Sequence, residues 1–343
     1  MGLGSTVKSI WSLIQGNLYQ QLEGAKVNVG SHGIVFFVDP VAGNNGNNGR
    51  TPATAFATTP YALTQCTANA GDVIVRMPGN EYSDEGGIAA GAAIAMNVRG
   101  VTLIGLNIFN PDMSEAGANY GRYDSTLGWG GGGALGPVFE ITAPCNIIGL
   151  NVVCDHAFGA GASGGGAVPD TMPLGVAIAV NGWQGGFLGS YNYIAQCRFP
   201  NWGGAEGINL FGSSYNLIED CIFEGMSACG VHVDAGFQNS NYNRIKRCQF
   251  RTMVNGIQNT GGVRRTYVEE CMFEELTGSG IQGVAAINGG HAFGNWFGLS
   301  ETAGAAGAYD ANLAARNAVN FHCAGNHYID EPVPTQGATD PTS

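Results

Sequence analysis

Ile194-Ala195-Gln196-Cys197-Arg198-Phe199, Ile218-Glu219-Asp220-Cys221-Ile222-Phe223, Ile245-Lys246-Arg247-Cys248-Gln249-Phe250 and Val268-Glu269-Glu270-Cys271-Met272-Phe273 are four versions of one hexapeptide. An aliphatic residue opens each, cysteine follows three positions on, and phenylalanine two after that. The cysteines recur after 24, 27 and 23 residues. A second element follows each phenylalanine, opened by Gly207-Ile208, Gly230-Val231, Gly256-Ile257 and Gly280-Ile281. Self-similarity at this period is the mark of a solenoid, in which each repeat buries its apolar side only by stacking on its neighbours.

Outward from this stretch, the position of Cys197 is expected to recur as Asn107 after Ile104, Asn151 after Ile148, Asn295 after Ala292 and Asn326 after Cys323. Eight coils would then share one small-residue site, with asparagine at both ends and Cys197, Cys221, Cys248 and Cys271 in the middle. Stacked asparagines hydrogen-bond from coil to coil, and cysteine fills the same site without needing partners. The steps from Asn107 to Asn151 and on to Cys197 are 44 and 46 residues, about twice a bare coil. The excess falls in the glycine-rich stretches 112–135 and 158–172, which read as loops, where function more often resides. Residues 300–318 read as a helix or loop inserted before the last coil.

Composition narrows the class. The 343 residues are 44% hydrophobic and 12% charged, with 56 glycines, which suits a large core and not a disordered chain. Glycine does not recur every third residue, so this is not collagen. A net charge of -12 without any Lys/Arg cluster excludes a nucleic-acid surface. No run reaches the roughly 18 apolar residues of a membrane-spanning helix. The cysteines number nine, an odd count without CxxC spacing. Ladder cysteines one coil apart would be separated by about 4.8 Å with parallel side-chain vectors, a poor disulfide geometry. They read as buried, reduced residues of a protein assembled in a reducing cytosol. The start of the chain reads without a signal peptide.

Residues 5–23 carry Val7, Ile10, Trp11, Ile14, Leu18 and Leu22 on one helical stripe, with Ser5 as N-cap and Gly24 as stop. A strand over 33–39, a turn-rich loop over 43–49, a helix over 58–69 and a strand from Val73 follow. Three prolines in 331–343 read as a tail. The expected organisation is an attachment or oligomerisation segment over 1–30, one solenoid over 31–330, and the tail.

The order Val38-Asp39-Pro40, Gly/Asn loop, Thr51-Pro52-Ala53-Thr54-Ala55-Phe56, short helix with Ala62-Leu63, Gly71-Asp72-Val73-Ile74-Val75 and Pro78-Gly79 with Tyr82 resembles the opening of pectate-lyase-like proteins. The later coils resemble the repeat of that superfamily. The resemblance spans about 33–330 and implies an all-β, right-handed parallel β-helix of about ten coils, its open end capped by the 58–69 helix. The superfamily holds lyases, hydrolases, epimerases and phage spikes, so the fold does not select a function. With capping assigned, the 5–23 helix reads as an added module. The resemblance then implies a bacteriophage virion surface protein, a spike, fibre or capsid decoration assembled in the host cytoplasm. It would be a homotrimer attached to other virion proteins through that helix. The alternatives are a polysaccharide lyase or glycoside hydrolase, and a non-catalytic glycan-binding module.

Residues with chemistry are few. Alternation puts Val231 and Val233 inward and His232 and Asp234 outward, on a row with Asn209, Gln258 and Gln282. Such a row suits general-base catalysis or sugar binding. Asp155-His156, at the mouth of a long loop, is a second candidate pair. Trp202, Tyr215 and Tyr242, with Tyr191, fall at turns and suit glycan stacking or a protein interface. Glu219, Lys246 and Glu269 share one position and Asp220, Arg247 and Glu270 the next, so acid and base alternate in a salt-linked ladder. The adjacent carboxylates resemble a two-acid glycosidase pair, but their basic neighbours neutralise them. His291, His322 and His327 lack ligand spacing, so neither a metal nor a cofactor is expected.

Overall fold

The computed structural model describes residues 33–82, 93–106, 125–129, 137–154, 176–182, 189–199, 205–235, 240–260, 263–283, 288–298 and 321–328. Within them the chain is a parallel β-solenoid with a single α-helix. Three sheets of ten, nine and seven strands run along it. Each coil passes from the seven-stranded sheet to the ten-stranded and then the nine-stranded one. From Val176 to Phe297 this makes five consecutive complete coils. The expected count of about ten coils is not supported: among the described residues five coils are complete, and the third sheet has seven strands.

The hexapeptide is the corner between the ten- and nine-stranded sheets. Its aliphatic residues align, Ile194 with Ile218, Ile245 and Val268. The residue before each cysteine turns the chain: Gln196, Asp220, Arg247 and Glu270 have φ of 54, 54, 50 and 55°. Left-handed backbone disfavours L-residues by roughly 1–2 kcal/mol. Hydrogen bonds across coils offset the strain, from Gln196 N to Glu219 O, Asp220 N to Lys246 O and Arg247 N to Glu269 O. Where no side chain is needed, Gly149, Gly294 and Gly325 take the corner.

Inside the corner, Cys197, Cys221, Cys248 and Cys271 are fully buried, free thiols. Cys221 Sγ sits 3.4 Å from Glu219 O and 3.7 Å from Ile194 O, in its own coil and the previous one. Phe199, Phe223, Phe250, Phe273 and Phe297 follow as a stack, ring centroids 4.7 to 5.0 Å apart and ring planes nearly parallel.

At the C-terminal end the expected asparagine stack is present. Asn295 Oδ1 accepts from Cys271 N, and its Nδ2 donates to Asn326 Oδ1 at 3.0 Å. At the N-terminal end the register differs by one residue. Ile194 pairs with Ile147, not Ile148, so Leu150 takes the cysteine site and Asn151 pairs with Arg198. The cause is an apolar pair that satisfies either face. Ile147 enters the main core, whereas Ile148 joins a separate cluster with Phe37, Val75 and Ile104. A slip of one residue exchanges the faces. Asn107 lies outside the described residues.

A different asparagine ladder ties the coils at the preceding turn. Asn192 Nδ2 donates to Asn216 Oδ1, and Asn216 Nδ2 to Asn243 Oδ1, at 2.8 and 2.9 Å. The cap helix is shorter than expected, Thr59–Thr64, with the Thr58 side chain accepting from Tyr61 N. Its Ala62 and Leu63 close the main core. Part of the expected 112–135 loop is a strand, Ser125–Trp129, paired with Gly79–Tyr82. The 5–23 helix, with Val7, Ile10, Trp11, Ile14, Leu18 and Leu22, lies outside the described residues, as do 158–172, 300–318 and the tail.

Candidate functional site

On the outer face of the seven-stranded sheet, Asn209 pairs with His232, His232 with Gln258, and Gln258 with Gln282. That is the row expected from alternation. Two further residues join it. Gly207, Gly230, Gly256 and Gly280 turn inward, where an added Cβ would come within 2.5 or 2.6 Å of a stacked phenylalanine ring. The next residue, Ile208 or Val231, also points inward. Two inward positions in succession break the alternation, so Glu206 and Cys229 fall on the side of His232.

There a hydrogen-bonded chain forms. His232 Nδ1 is 2.7 Å from Glu206 Oε1, and His232 Nε2 is 2.8 Å from Thr260 Oγ1. Asn209 Nδ2 donates to the other Glu206 oxygen at 2.6 Å. The side chains of His232 and Glu206 are only 13% and 8% exposed. Burial works against a charge on His232. The Glu206 hydrogen bond and the charges of Glu206 and Asp234 outweigh it, and the imidazole pKa is raised above the ordinary value. Asp234, the expected partner of His232, thus acts through its charge, and Glu206 holds Nδ1.

Linkage gives a sign. A histidine pKa raised on folding stabilises fully below about 6.5, the unfolded value, and loses that contribution as pH rises through the folded pKa. The stability gap between the wild type and His232→Gln is therefore expected to narrow as pH is raised above 6.5. Urea unfolding of both across pH 5 to 9 measures it, and a gap that widens with pH would refute the charged pair.

Chemically, a hydroxyl, an imidazole and a carboxylate in line can relay a proton, the arrangement used to activate a hydroxyl nucleophile. The same corner also gathers metal-ligating atoms: those of Glu206, Cys229 and His232 all lie within 4.8 Å of one another. The expectation of no metal rested on His291, His322 and His327, and this set draws on none of them.

The turn tyrosines meet. Tyr191, Tyr215 and Tyr242 stack at 4.8 and 4.9 Å with planes 1° and 5° apart. Arg265 continues the row, its guanidinium 4.9 Å from the Tyr242 ring centre and hydrogen-bonded to the Tyr242 hydroxyl. Within the stack the ring faces that could take a sugar are spent on one another. The charged ladder is paired as well: Arg247 binds Asp220 and Glu219 at 2.8 and 2.7 Å. Such exposed pairs are individually worth about 0–1 kcal/mol. Trp202, Asp155 and His156 lie outside the described residues.

A family model described as right handed beta helix region matches residues 177–297, the span of the five complete coils. No curated protein matches the chain. Among solved structures, a rhamnogalacturonan lyase is 13% identical over 86% of this chain and 62% of its own, with a TM-score of 0.43. The pectate lyase Pel9A is 15% identical over 78% and 64%, TM-score 0.46. ORF18 of Geobacillus virus E2 is 12% identical over 86% and 62%, TM-score 0.43. The chain spans less than two thirds of each, and at these values no activity, ligand or partner carries over.

Proposed function

We propose that this right-handed parallel β-helix is a structural surface protein of a bacteriophage virion, a spike, fibre or capsid decoration, working as a stiff rod that contacts host glycans. The continuity of its ladders carries the reading. Phenylalanine, cysteine, asparagine and tyrosine stacks each bind one coil to the next through the same stretch of the rod. A shaft that transmits load along its axis needs such coupling, since solenoid stability is a sum of neighbour interfaces. Free buried thiols suit assembly in the host cytoplasm. In this reading the apolar stretch over residues 5–23 docks to other virion proteins and gathers a homotrimer. Of the Asn209, His232, Gln258 and Gln282 row, the half-buried Gln258 and Gln282 and the edge of His232 face surface polysaccharide, while Asn209, buried against Glu206, backs them. The full-length protein is expected to run as a trimer in light scattering and to bind host polysaccharide without cleaving it. A full-length monomer that ignores the polysaccharide would sink the proposal.

The Thr260–His232–Glu206 alignment favours a second reading, a hydrolase acting on acidic or capsular polysaccharide. Turnover by the wild type would decide for it. His232→Ala should then lower that turnover by roughly 10²–10⁴-fold with polysaccharide binding retained.

A further inference from the structure

Cys229 stands apart from the other buried thiols. Cys145, Cys197, Cys221, Cys248 and Cys271 belong to the main apolar core. Cys229 is as deeply buried yet lies on the outer side of its sheet, beside a carboxylate and an imidazole. We propose that Glu206, Cys229 and His232 form a binding site for a zinc-class divalent cation. A thiolate sulfur, an imidazole nitrogen and a carboxylate oxygen are the borderline-soft donor set that zinc takes, whereas calcium and magnesium require oxygen throughout.

The three donor atoms lie within 4.8 Å of one another, so modest side-chain movement brings them to a cation. Tetrahedral zinc with bonds of about 2.0–2.3 Å holds its donor atoms roughly 3.3–3.7 Å apart. His232 Nδ1 and Glu206 Oε1 stand 2.7 Å apart with a proton between them, so the cation replaces that proton and opens the pair by about half an ångström. Cys229 loses its thiol proton to solvent. The proton of a neutral His232 moves from Nδ1 to Nε2; a cationic His232 releases the Nδ1 proton instead. Thiolate and carboxylate then balance the divalent charge, as a buried ion requires.

The surroundings are those of a ligand histidine. With the cation on Nδ1 the ring proton sits on Nε2, 2.8 Å from Thr260 Oγ1, and a hydrogen bond there would fix the ring. Asn209 closes the cluster. It is 2% exposed, its Nδ2 lies 3.3 Å from His232 Nδ1, and its Oδ1 is buried without a hydrogen-bond partner. A half-turn of that amide, at the loss of its hydrogen bond to Glu206 Oε2, would offer an oxygen to the cation. The exposed edge of His232 is the way in. Glu206 comes from one coil, Cys229 and His232 from the next, and Thr260 from the third, so the cation staples successive coils. The site fits the structural reading; a bound cation would take Nδ1 and Glu206 and leave Nε2 protonated, so it excludes the Thr260–His232–Glu206 relay.

The test uses the full-length protein, stripped with chelator and titrated with Co²⁺ and then Zn²⁺. One equivalent of Co²⁺ is expected to give a thiolate-to-cobalt charge-transfer band that Zn²⁺ erases. Cys229→Ser should abolish the band and Cys248→Ser should keep it. Glu206→Gln, nearly isosteric and able to keep its hydrogen bonds, should weaken Zn²⁺ binding at least tenfold. Should Cys229→Ser not fold, Glu206→Gln decides alone, and unchanged affinity overturns the site. Absence of the band in the wild type, or its survival in folded Cys229→Ser, does the same.

Discussion

Truncating Phe250 to alanine is expected to destabilise the solenoid by about 3–5 kcal/mol. The ring is fully buried and stacked on both faces, 5.0 Å from Phe223 and 5.0 Å from Phe273. Its edge lies against Gly230, where an added Cβ would come within 2.5 Å. Truncation removes the transfer free energy of the ring and opens a cavity. The cavity cannot close by collapse, because Gln249 and Arg251 on either side are hydrogen-bonded in register to the coils above and below. Each lost aromatic pair adds about 0.5–1.5 kcal/mol beyond burial. Phe199, with one ring partner and Asn151-Val152 on its other side, should lose one such pair and cost correspondingly less. Urea unfolding with unchanged m reads both. A Phe250→Ala cost under about 1 kcal/mol, or a larger cost at Phe199, would mean that the stack does not carry the rod.

The same repeats explain what the sequence discloses. Wherever coils stack in register, one site imposes one side chain, so the aliphatic, cysteine and phenylalanine positions of 194–273 can be read directly. The Ile147-Ile148 pair hides its register because both faces there are apolar. His232 and its row follow from alternation, but Glu206 and Cys229 do not, because Gly207-Ile208 and Gly230-Val231 take two inward steps. A signal for that existed: glycine inside a strand marks an irregularity or a close approach, and these glycines recur beside a recurring phenylalanine. The diagonal reach of His232 to Thr260 leaves no trace in any spacing. Tyr191, Tyr215 and Tyr242 are visible as turn residues, yet their stacking depends on φ of 63, 59 and 57°, a property of the turn and not of tyrosine. The asparagines two residues before Ile194, Ile218 and Ile245 were equally regular, and they bear on stability more than the end positions did.

Asn216 is the centre of that ladder, and Asn216→Ala is expected to cost about 2–4 kcal/mol. Its Oδ1 accepts from Asn192 N and Asn192 Nδ2 at 3.1 and 2.8 Å, and its Nδ2 donates to Ser213 Oγ and Asn243 Oδ1 at 2.7 and 2.9 Å. Both neighbours, like Asn216, are buried. Alanine leaves the Asn192 amide N–H without this acceptor in a place water does not reach, and an orphaned buried donor costs more than a hydrogen bond contributes. Asn216→Asp separates shape from chemistry. It is isosteric and keeps an acceptor for Asn192, but it turns a donor into a second carboxylate oxygen against Asn243 Oδ1 and buries a charge. Burial and that acceptor raise the folded pKa of the new carboxyl, so its penalty is full at neutral pH and shrinks as acid protonates it, down toward the unfolded value of about 3.9. The expected pattern is therefore an aspartate variant at least as unstable as the alanine variant at pH 7, and closer to wild type at pH 5. An aspartate variant matching wild type at pH 7 would show that the site is held by packing alone, and the amide ladder would lose its role in joining the coils.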